Sequence, residues 1–288
     1  MRFVAAVLLA IVAGGAAHGA APRPATLVGA GDIASCGVET DEMTAALLDR
    51  IPGTVFTTGD NVYTDGTPDE FARCYAPTWG RHRDRTRPAP GNHDYRTAGA
   101  AGYFGYFGSR AGPAGRGWYS YAAGAWHVVV LNSNCGEIGG CGPGSAQLRW
   151  LQADLRAHRT RCTLAYWHHP LFSSGAKYPG DPTVRDLWRA LYAAGADLVL
   201  NGHDHIYERF RPQTPAGVVD RVRGIRQITV GTGGMVLYGL TKPLPTSAVR
   251  GPGVWGVLRL TLWPDRYSWR FVRAFGAEFA DAGSARCH

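Results

Sequence analysis

Five short polar clusters recur along this chain of 288 residues, and four of them follow an apolar or β-branched run. The clusters are Gly31-Asp32, Gly59-Asp60-Asn61-Val62-Tyr63, Gly91-Asn92-His93-Asp94, His168-His169-Pro170 and Gly202-His203-Asp204-His205. Because such runs are typical of buried strands, we expect the clusters where strands end and loops begin. Proteins of the α/β class usually build their sites there. The carboxylates, imidazoles and amide are sufficient to ligate two metal ions.

Local patterns predict ten strands and four helices. The strands are predicted at 26–30, 54–58, 86–90, 118–122, 126–132, 162–167, 197–200, 226–230, 254–262 and 267–273, and the helices at 41–50, 68–75, 145–158 and 182–194. Ser145 is a candidate N-cap for the third helix. Two prolines confine segment 86–90 to a sheet edge or to no strand at all. Helices interleaved with strands, followed by strands alone, predict an α/β protein with two packed sheets and helices outside them.

Taken together, the five clusters resemble the calcineurin-like metallophosphoesterases, and more narrowly the purple acid phosphatases. The resemblance extends from Leu27 to Phe210 and implies a four-layer α/β/β/α sandwich of two mixed sheets. In most metallophosphoesterases the first metal-ligand motif is Asp-x-His. Here Ala34 stands two residues after Asp32, where that histidine would be. Tyr63 is placed to replace the missing imidazole, which is the purple acid phosphatase pattern. The sequence Tyr207-Glu208-Arg209 is similar to that branch too.

The resemblance also implies a ligand set for each metal. The first metal would take Asp32, Tyr63 and His205, the second Asn92, His168 and His203, and Asp60 would bridge the two. A phenol must lose its proton to ligate, and a trivalent ion favours the phenolate more than a divalent ion does. We therefore expect Fe(III) at the first site and Fe, Zn or Mn at the second. The alternative is a divalent site in which Tyr63 is a packed aromatic residue nearby.

Three further residues are candidates for catalysis or for contact with the substrate. His93 is expected to protonate the leaving alkoxide or to stabilise its developing charge, and Asp94 to orient the ring of His93. His169 is interpreted as facing the substrate or supporting the ligands. The aromatic segment 103–107 either walls the substrate pocket or packs under a loop.

The predicted function is hydrolysis of phosphate monoesters, like that of an acid phosphatase, by attack of a hydroxide that bridges the two metals. The expected substrate is a phosphorylated small molecule. One alternative is a phosphodiesterase or nucleotidase with the same metal centre, because specificity lies in the shape of the loops. Another is a non-catalytic binding module of the cell envelope, but all seven candidate ligands and His93 are present, which favours an enzyme.

The amino terminus is typical of an exported protein. Met1-Arg2 precedes an apolar stretch at 3–13 that is too short to span a bilayer comfortably, and small residues follow through Ala21. We interpret residues 1–21 as a signal peptide, cleaved after Gly19 or Ala21, and residues 22–288 as the catalytic domain. No later segment is long and apolar enough to anchor the chain. The protein is therefore expected to be secreted or to lie in the cell envelope.

Six cysteines in an exported chain favour disulfides over metal thiolates. Fifteen pairings are possible in principle. A local bridge is expected between Cys135 and Cys141, which bracket a glycine-rich stretch. Cys36 and Cys74 are both expected near one sheet edge, and elimination then leaves Cys162 with Cys287.

The formal net charge is +8, and removal of residues 1–21 takes away only Arg2, which leaves +7. A basic protein attracts anionic partners, and arginine donates well to phosphate. The densest basic run, 81–87, is interpreted as a solvated loop. Specific nucleic-acid binding is not predicted, because no known binding motif accompanies the charge. The sequence leaves the oligomeric state open.

Overall fold

Two large β-sheets lie face to face in the computed structural model, which describes residues 24–288. The predicted signal peptide and its cleavage site lie outside the described residues. The strands are β1 (Ala25–Ala30), β2 (Ala34–Ser35), β3 (Thr54–Thr58), β4 (Val62–Tyr63), β5 (Thr86–Ala89), β6 (Tyr119–Ala123), β7 (Trp126–Val130), β8 (Cys162–Tyr166), β9 (Leu198–Asn201), β10 (Tyr207–Phe210), β11 (Arg226–Val230), β12 (Ser247–Gly251), β13 (Val254–Trp263), β14 (Arg266–Gly276) and β15 (Ala282–Arg286). The α-helices are α1 (Thr40–Arg50), α2 (Pro68–Glu70), α3 (Ala101–Phe107), α4 (Ala146–Ala157) and α5 (Arg185–Ala193).

Both sheets mix parallel and antiparallel strands. The first has six strands in the order β15-β14-β13-β1-β3-β5, and the second has seven in the order β12-β10-β11-β9-β8-β7-β6. In the first sheet β1, β3 and β5 are parallel neighbours. In the second sheet β7, β8, β9 and β11 are parallel neighbours. Parallel strands send their carboxyl ends to the same edge, which positions the polar clusters.

Alternate residues of the seven-stranded sheet face two different cores. Val128 and Leu164 join the core between the sheets, while Val129 and Ala165 pack with the helical layer of α4 and α5. Helix α1 packs on β13 and β14 of the other sheet. The four-layer α/β/β/α sandwich predicted above is therefore confirmed.

Most predicted elements are present near their expected bounds. The side chain of Ser145 accepts a hydrogen bond from the Leu148 amide, which confirms the N-cap of α4. Segment 86–90 forms β5 at the edge of the six-stranded sheet, as its prolines require. The predicted helix 68–75 consists of α2 followed by a π-helical turn, Phe71–Tyr75.

Other local predictions need correction. The sequence pattern did not predict β10, β12, β15 or α3, and α3 contains two glycines that weaken its helical pattern. The basic run 81–87 is not the solvated loop expected above, because residues 81–85 lie in a 3₁₀ helix, Trp79–Arg85, and residues 86 and 87 begin β5. Arg85 there donates to the carbonyl oxygens of Leu48, Ile51 and Gly53, so it caps the end of α1.

Three disulfides join the cysteines in the expected pairs: Cys36–Cys74, Cys135–Cys141 and Cys162–Cys287. The last bridge connects the start of β8 to the residue that follows β15, and so it links the two sheets. Within residues 24–288, no helix has the length and hydrophobicity that crossing a membrane requires.

Candidate metal centre

All five polar clusters meet at one edge of the sandwich, where the parallel strands end. Asp32, Asp60 and Asn92 follow β1, β3 and β5 of one sheet, and His168 and His203 follow β8 and β9 of the other. Each sheet therefore contributes one side of the centre.

The backbone at this centre has an unusual conformation. Asp32, Asp60 and His203 have φ angles of 61°, 49° and 69°, in the left-handed region that residues other than glycine seldom adopt. Gly91 and Gly202 leave room for close approach, since a Cβ at Gly91 would stand 2.1 Å from Asp60 Oδ1 and one at Gly202 would stand 2.7 Å from Asp32 Oδ2. Strained backbone of this kind clusters at functional sites.

One half of the centre gathers around the phenol of Tyr63. Its Oη lies 3.1 Å from Asp32 Oδ1, 2.9 Å from Asp60 Oδ2 and 3.1 Å from His205 Nε2. Asp32 Oδ1 and His205 Nε2 are 3.3 Å apart. All four of these side chains are buried.

The other half gathers around His168. Its Nε2 lies 3.0 Å from Asn92 Oδ1, 3.3 Å from Asp60 Oδ2 and 3.2 Å from His203 Nδ1. Asp60 Oδ2 therefore contacts both halves, and the structure brings all seven predicted ligands together.

The donor set fits cations. His168 Nδ1 lies 2.8 Å from the Thr58 carbonyl oxygen and His205 Nδ1 bonds to the Val236 carbonyl oxygen, which assigns the protons to the Nδ1 atoms. In the neutral form of each ring, Nε2 then directs a lone pair at a carboxylate oxygen. One phenol proton cannot satisfy the three acceptors around Tyr63. Such a convergence of lone pairs requires positive charge, and oxygen with imidazole ligands suits iron, manganese or zinc.

The pKa shifts of these groups also favour a cation at the centre. Burial disfavours the charged form of His168, yet the Asp60 carboxylate raises its pKa to about 9. Burial, together with Asp60 and Asp32, raises the pKa of Tyr63 well above its usual value, so a cation is needed to produce the phenolate. Burial and the neighbouring His168 lower the pKa of His203.

His93 lies beside the shared carboxylate. Its amide donates to Asp60 Oδ1 at 2.8 Å, and its ring Nε2 is 4.0 Å from Asp60 Oδ2. The ring lies against Tyr63, with 4.2 Å between centroids, and its Nδ1 is 2.6 Å from the Thr64 carbonyl oxygen. The free Nε2 is thus the atom nearest the centre.

The expectation that Asp94 orients the ring of His93 is wrong, because the Thr64 carbonyl does so. Asp94 is buried and accepts instead from the Gly91 amide at 2.8 Å and from Asn61 Nδ2 at 2.9 Å. Burial and Asp60 raise the pKa of Asp94 to about 7. Its contacts hold together the loops that carry Asp60 and Asn92.

His169 lies between the centre and an open groove of about 450 Å³. Its ring packs against those of His168 and His203, and Ser133 Oγ lies 2.8 Å from its Nδ1. Burial and His168 lower its pKa to about 4, so the ring is neutral. The groove is also lined by Asn92, Tyr95, Arg96, Ser133, Asn134, Cys135, Gly136, Glu137, Asp181 and Thr183.

The aromatic segment 103–107 is not part of this groove. Tyr103 and Phe107 are buried in α3, and Phe71 and Tyr75 pack on the segment. Of the two roles considered for it, packing is therefore the one observed.

The opposite side of the centre is formed by residues that no sequence pattern indicated. Tyr178 lies over His203 at 4.0 Å between centroids, and Tyr238 stacks on His205 at 4.1 Å. Lys177, which is exposed, donates to Tyr238 Oη at 2.9 Å. Two loops far apart in sequence supply these residues, so no local pattern pointed to them.

Comparisons with known proteins agree with this geometry. The family model described as calcineurin-like phosphoesterase matches residues 25–207. An uncharacterized protein of Mycobacterium tuberculosis is 30% identical over 203 residues, which cover 60% of this chain and 37% of the relative. Purple acid phosphatase 15 of Arabidopsis thaliana is 28% identical over 222 residues, which cover 65% of this chain and 41% of the relative. The matches thus span about two fifths of these relatives.

Two solved structures share the fold. A purple acid phosphatase from yellow lupin seeds superposes with a TM-score of 0.69 at 18% identity, covering 91% of this chain and 54% of the lupin chain. A dimetal phosphatase from Danio rerio superposes with a TM-score of 0.63 at 14% identity, covering 92% of this chain and all of the other.

Proposed function

The chain belongs to the calcineurin-like phosphoesterase family, and on that premise we propose that it hydrolyses phosphate monoesters at a centre of two metal ions. The observation that carries the proposal is the convergence of seven ligand-type side chains on both sides of Asp60 Oδ2. The relatives named as purple acid phosphatases support a phosphatase of that kind.

We assign the first metal to Asp32, Tyr63 and His205, the second to Asn92, His168 and His203, and both to Asp60. Two ions bound there supply Lewis acidity, which activates water and offsets the charge of the phosphoryl oxygens. Tyr63 favours Fe(III) at the first position, because only a strongly polarising cation overcomes the raised pKa of this buried phenol. Iron, zinc or manganese suits the second position.

His93 is the proposed proton donor to the leaving oxygen. An imidazolium there keeps Nδ1–H on the Thr64 carbonyl oxygen and presents Nε2–H toward the centre. Asp94 is proposed as a positioning residue, since it ties the Asn61 and Gly91 loops together. His169 is proposed to contact the substrate, because it joins the metal centre to the groove.

A phosphorylated small molecule is the proposed substrate, with its leaving group in the groove beside His169. Export from the cytoplasm is also part of the proposal. Three disulfides support it, because such bridges persist in oxidising compartments.

A paired substrate assay tests the proposed activity. Protein loaded with iron and zinc is given a phosphate monoester and the diester with the same leaving group. We expect kcat/KM to be higher for the monoester and to fall in Asp60→Asn, but not in the surface variant His288→Ala. Faster turnover of the diester would favour the phosphodiesterase alternative, and no turnover of either ester would refute the proposed reaction.

A further inference from the structure

A second group of metal-binding side chains lies at the other end of the seven-stranded sheet. His127 stands at the start of β7, Asp154 in the last turns of α4, and His158 at the residue that ends α4. His127 Nε2 is 2.9 Å from Asp154 Oδ2, and His158 Nδ1 is 3.1 Å from Asp154 Oδ1. One donor atom from each residue lies within 4.8 Å of the others.

Buried atoms of this group are short of hydrogen-bond partners. His127 is 4% exposed, and its Nδ1 has no hydrogen-bond partner. Asp154 Oδ2 faces His127 Nε2 at 2.9 Å, and neither of these two atoms has another partner. A buried polar atom without a partner destabilises the folded state. We propose that His127, Asp154 and His158 form a binding site for a divalent transition metal such as Zn²⁺.

The ligand chemistry favours this class of ion. Two imidazoles and one carboxylate suit zinc, which binds such nitrogen and oxygen atoms at about 2.0–2.2 Å. Ser120 Oγ donates to Asp154 Oδ1 at 2.8 Å and so orients the carboxylate, leaving Oδ2 toward the imidazole. His158 Nδ1 also lies 3.0 Å from the Asp154 carbonyl oxygen, a contact that it exchanges for the ion.

An ion reaches this position without unfolding the chain. The side chain of His158 is 53% exposed and opens onto a cavity of about 620 Å³ between α4 and α5. The bound ion would join the end of α4 to β7, and through Ser120 to β6. A stabilising role follows, because an ion that binds only the folded state raises stability.

Zinc content tests the proposal. Wild type, His158→Ala and the control His288→Ala are dialysed to equilibrium against Zn²⁺, and zinc per chain is measured by mass spectrometry. His158 is exposed, so its replacement leaves the fold intact, and the control removes an imidazole at a different cavity. All three proteins keep the same centre around Asp60, so zinc bound there contributes equally to each count and does not affect the difference between them.

We expect wild type and His288→Ala to hold one zinc ion more per chain than His158→Ala. The dissociation constant of that ion should rise more than about 100-fold in His158→Ala, beyond the loss typical of an outer hydrogen-bond partner. Added Zn²⁺ should also raise the Tm of wild type more than that of His158→Ala. Equal zinc content in all three proteins, or the same loss in His288→Ala, would overturn the site.

Discussion

Removal of the disulfide between the two sheets should destabilise the protein far more than removal of the short bridge. The change is the double variant Cys162→Ala/Cys287→Ala, and its matched control is Cys135→Ala/Cys141→Ala. The first bridge spans a sequence separation of 125 residues and the second only 6. Neither cysteine of the first pair lines the groove beside the metal centre, whereas Cys135 does.

The expected magnitudes follow from the separations. Loop-closure entropy of the unfolded chain gives about 5 kcal/mol for the long bridge and about 2 kcal/mol for the short one. For a domain of this size each kcal/mol shifts the Tm by about 2–4 °C. The long-bridge variant should therefore lose about 10–20 °C, and the control less than half of that.

Calorimetry measures the loss of stability in each variant. A phosphatase assay below both melting temperatures measures the loss of activity separately. The long-bridge variant should keep its kcat/KM, while the control should lose part of it because its groove wall is loosened. Wild type denatured without reductant should show no free thiol, which verifies that the bridges are formed. Equal losses of Tm in the two variants, or a loss of kcat/KM in the long-bridge variant alone, would refute the reasoning.

Three further substitutions test individual residues. His93→Ala should keep its metals but lose about 10²–10⁴-fold in kcat, as expected for a lost proton donor, and unchanged turnover would exclude that role. In iron-loaded protein, Tyr63→Phe should abolish a visible charge-transfer band, and a band that survives would show that Tyr63 is not a ligand. Burial raises the pKa of Asp197 to about 7, so the folded state holds its proton more tightly than the unfolded state, and stability should fall as pH rises from about 4 to 7. In urea unfolding, the difference in stability between Asp197→Asn and wild type should therefore move in favour of the variant by up to about 4 kcal/mol from pH 4 to pH 8, because the amide does not ionise, and a difference independent of pH would contradict this.

The metal centre could be predicted because its residues follow strands. Four of the five ligand clusters come at the end of a strand with an apolar or β-branched pattern, and parallel strands bring those ends together. The position of β5 could also be predicted from local sequence, since the prolines of segment 86–90 restrict it to a sheet edge, where β5 lies.

Residues whose position depends on distant partners could not be predicted. Strand β10 contains Glu208 and Arg209, which weaken any strand pattern, but Arg209 is paired with Asp281, at 2.7 Å from Nε to Oδ2. Glu208 is buried and accepts from the Ser174 amide at 2.8 Å, which holds the loop that leads to Tyr178. Such pairs exist only once the chain has folded, so a local sequence pattern carries no sign of them.

The strongest test of the account is the metal content of Asp60→Asn, because this carboxylate contacts both halves of the centre. The count is made in a His158→Ala background, so that an ion between β7 and α4 does not add to it. We predict two tightly held ions per chain and phosphatase activity in the His158→Ala parent. The added Asp60→Asn should lose at least one ion and more than about 1,000-fold in kcat/KM. Retention of both ions with unchanged turnover would contradict a centre built on Asp60.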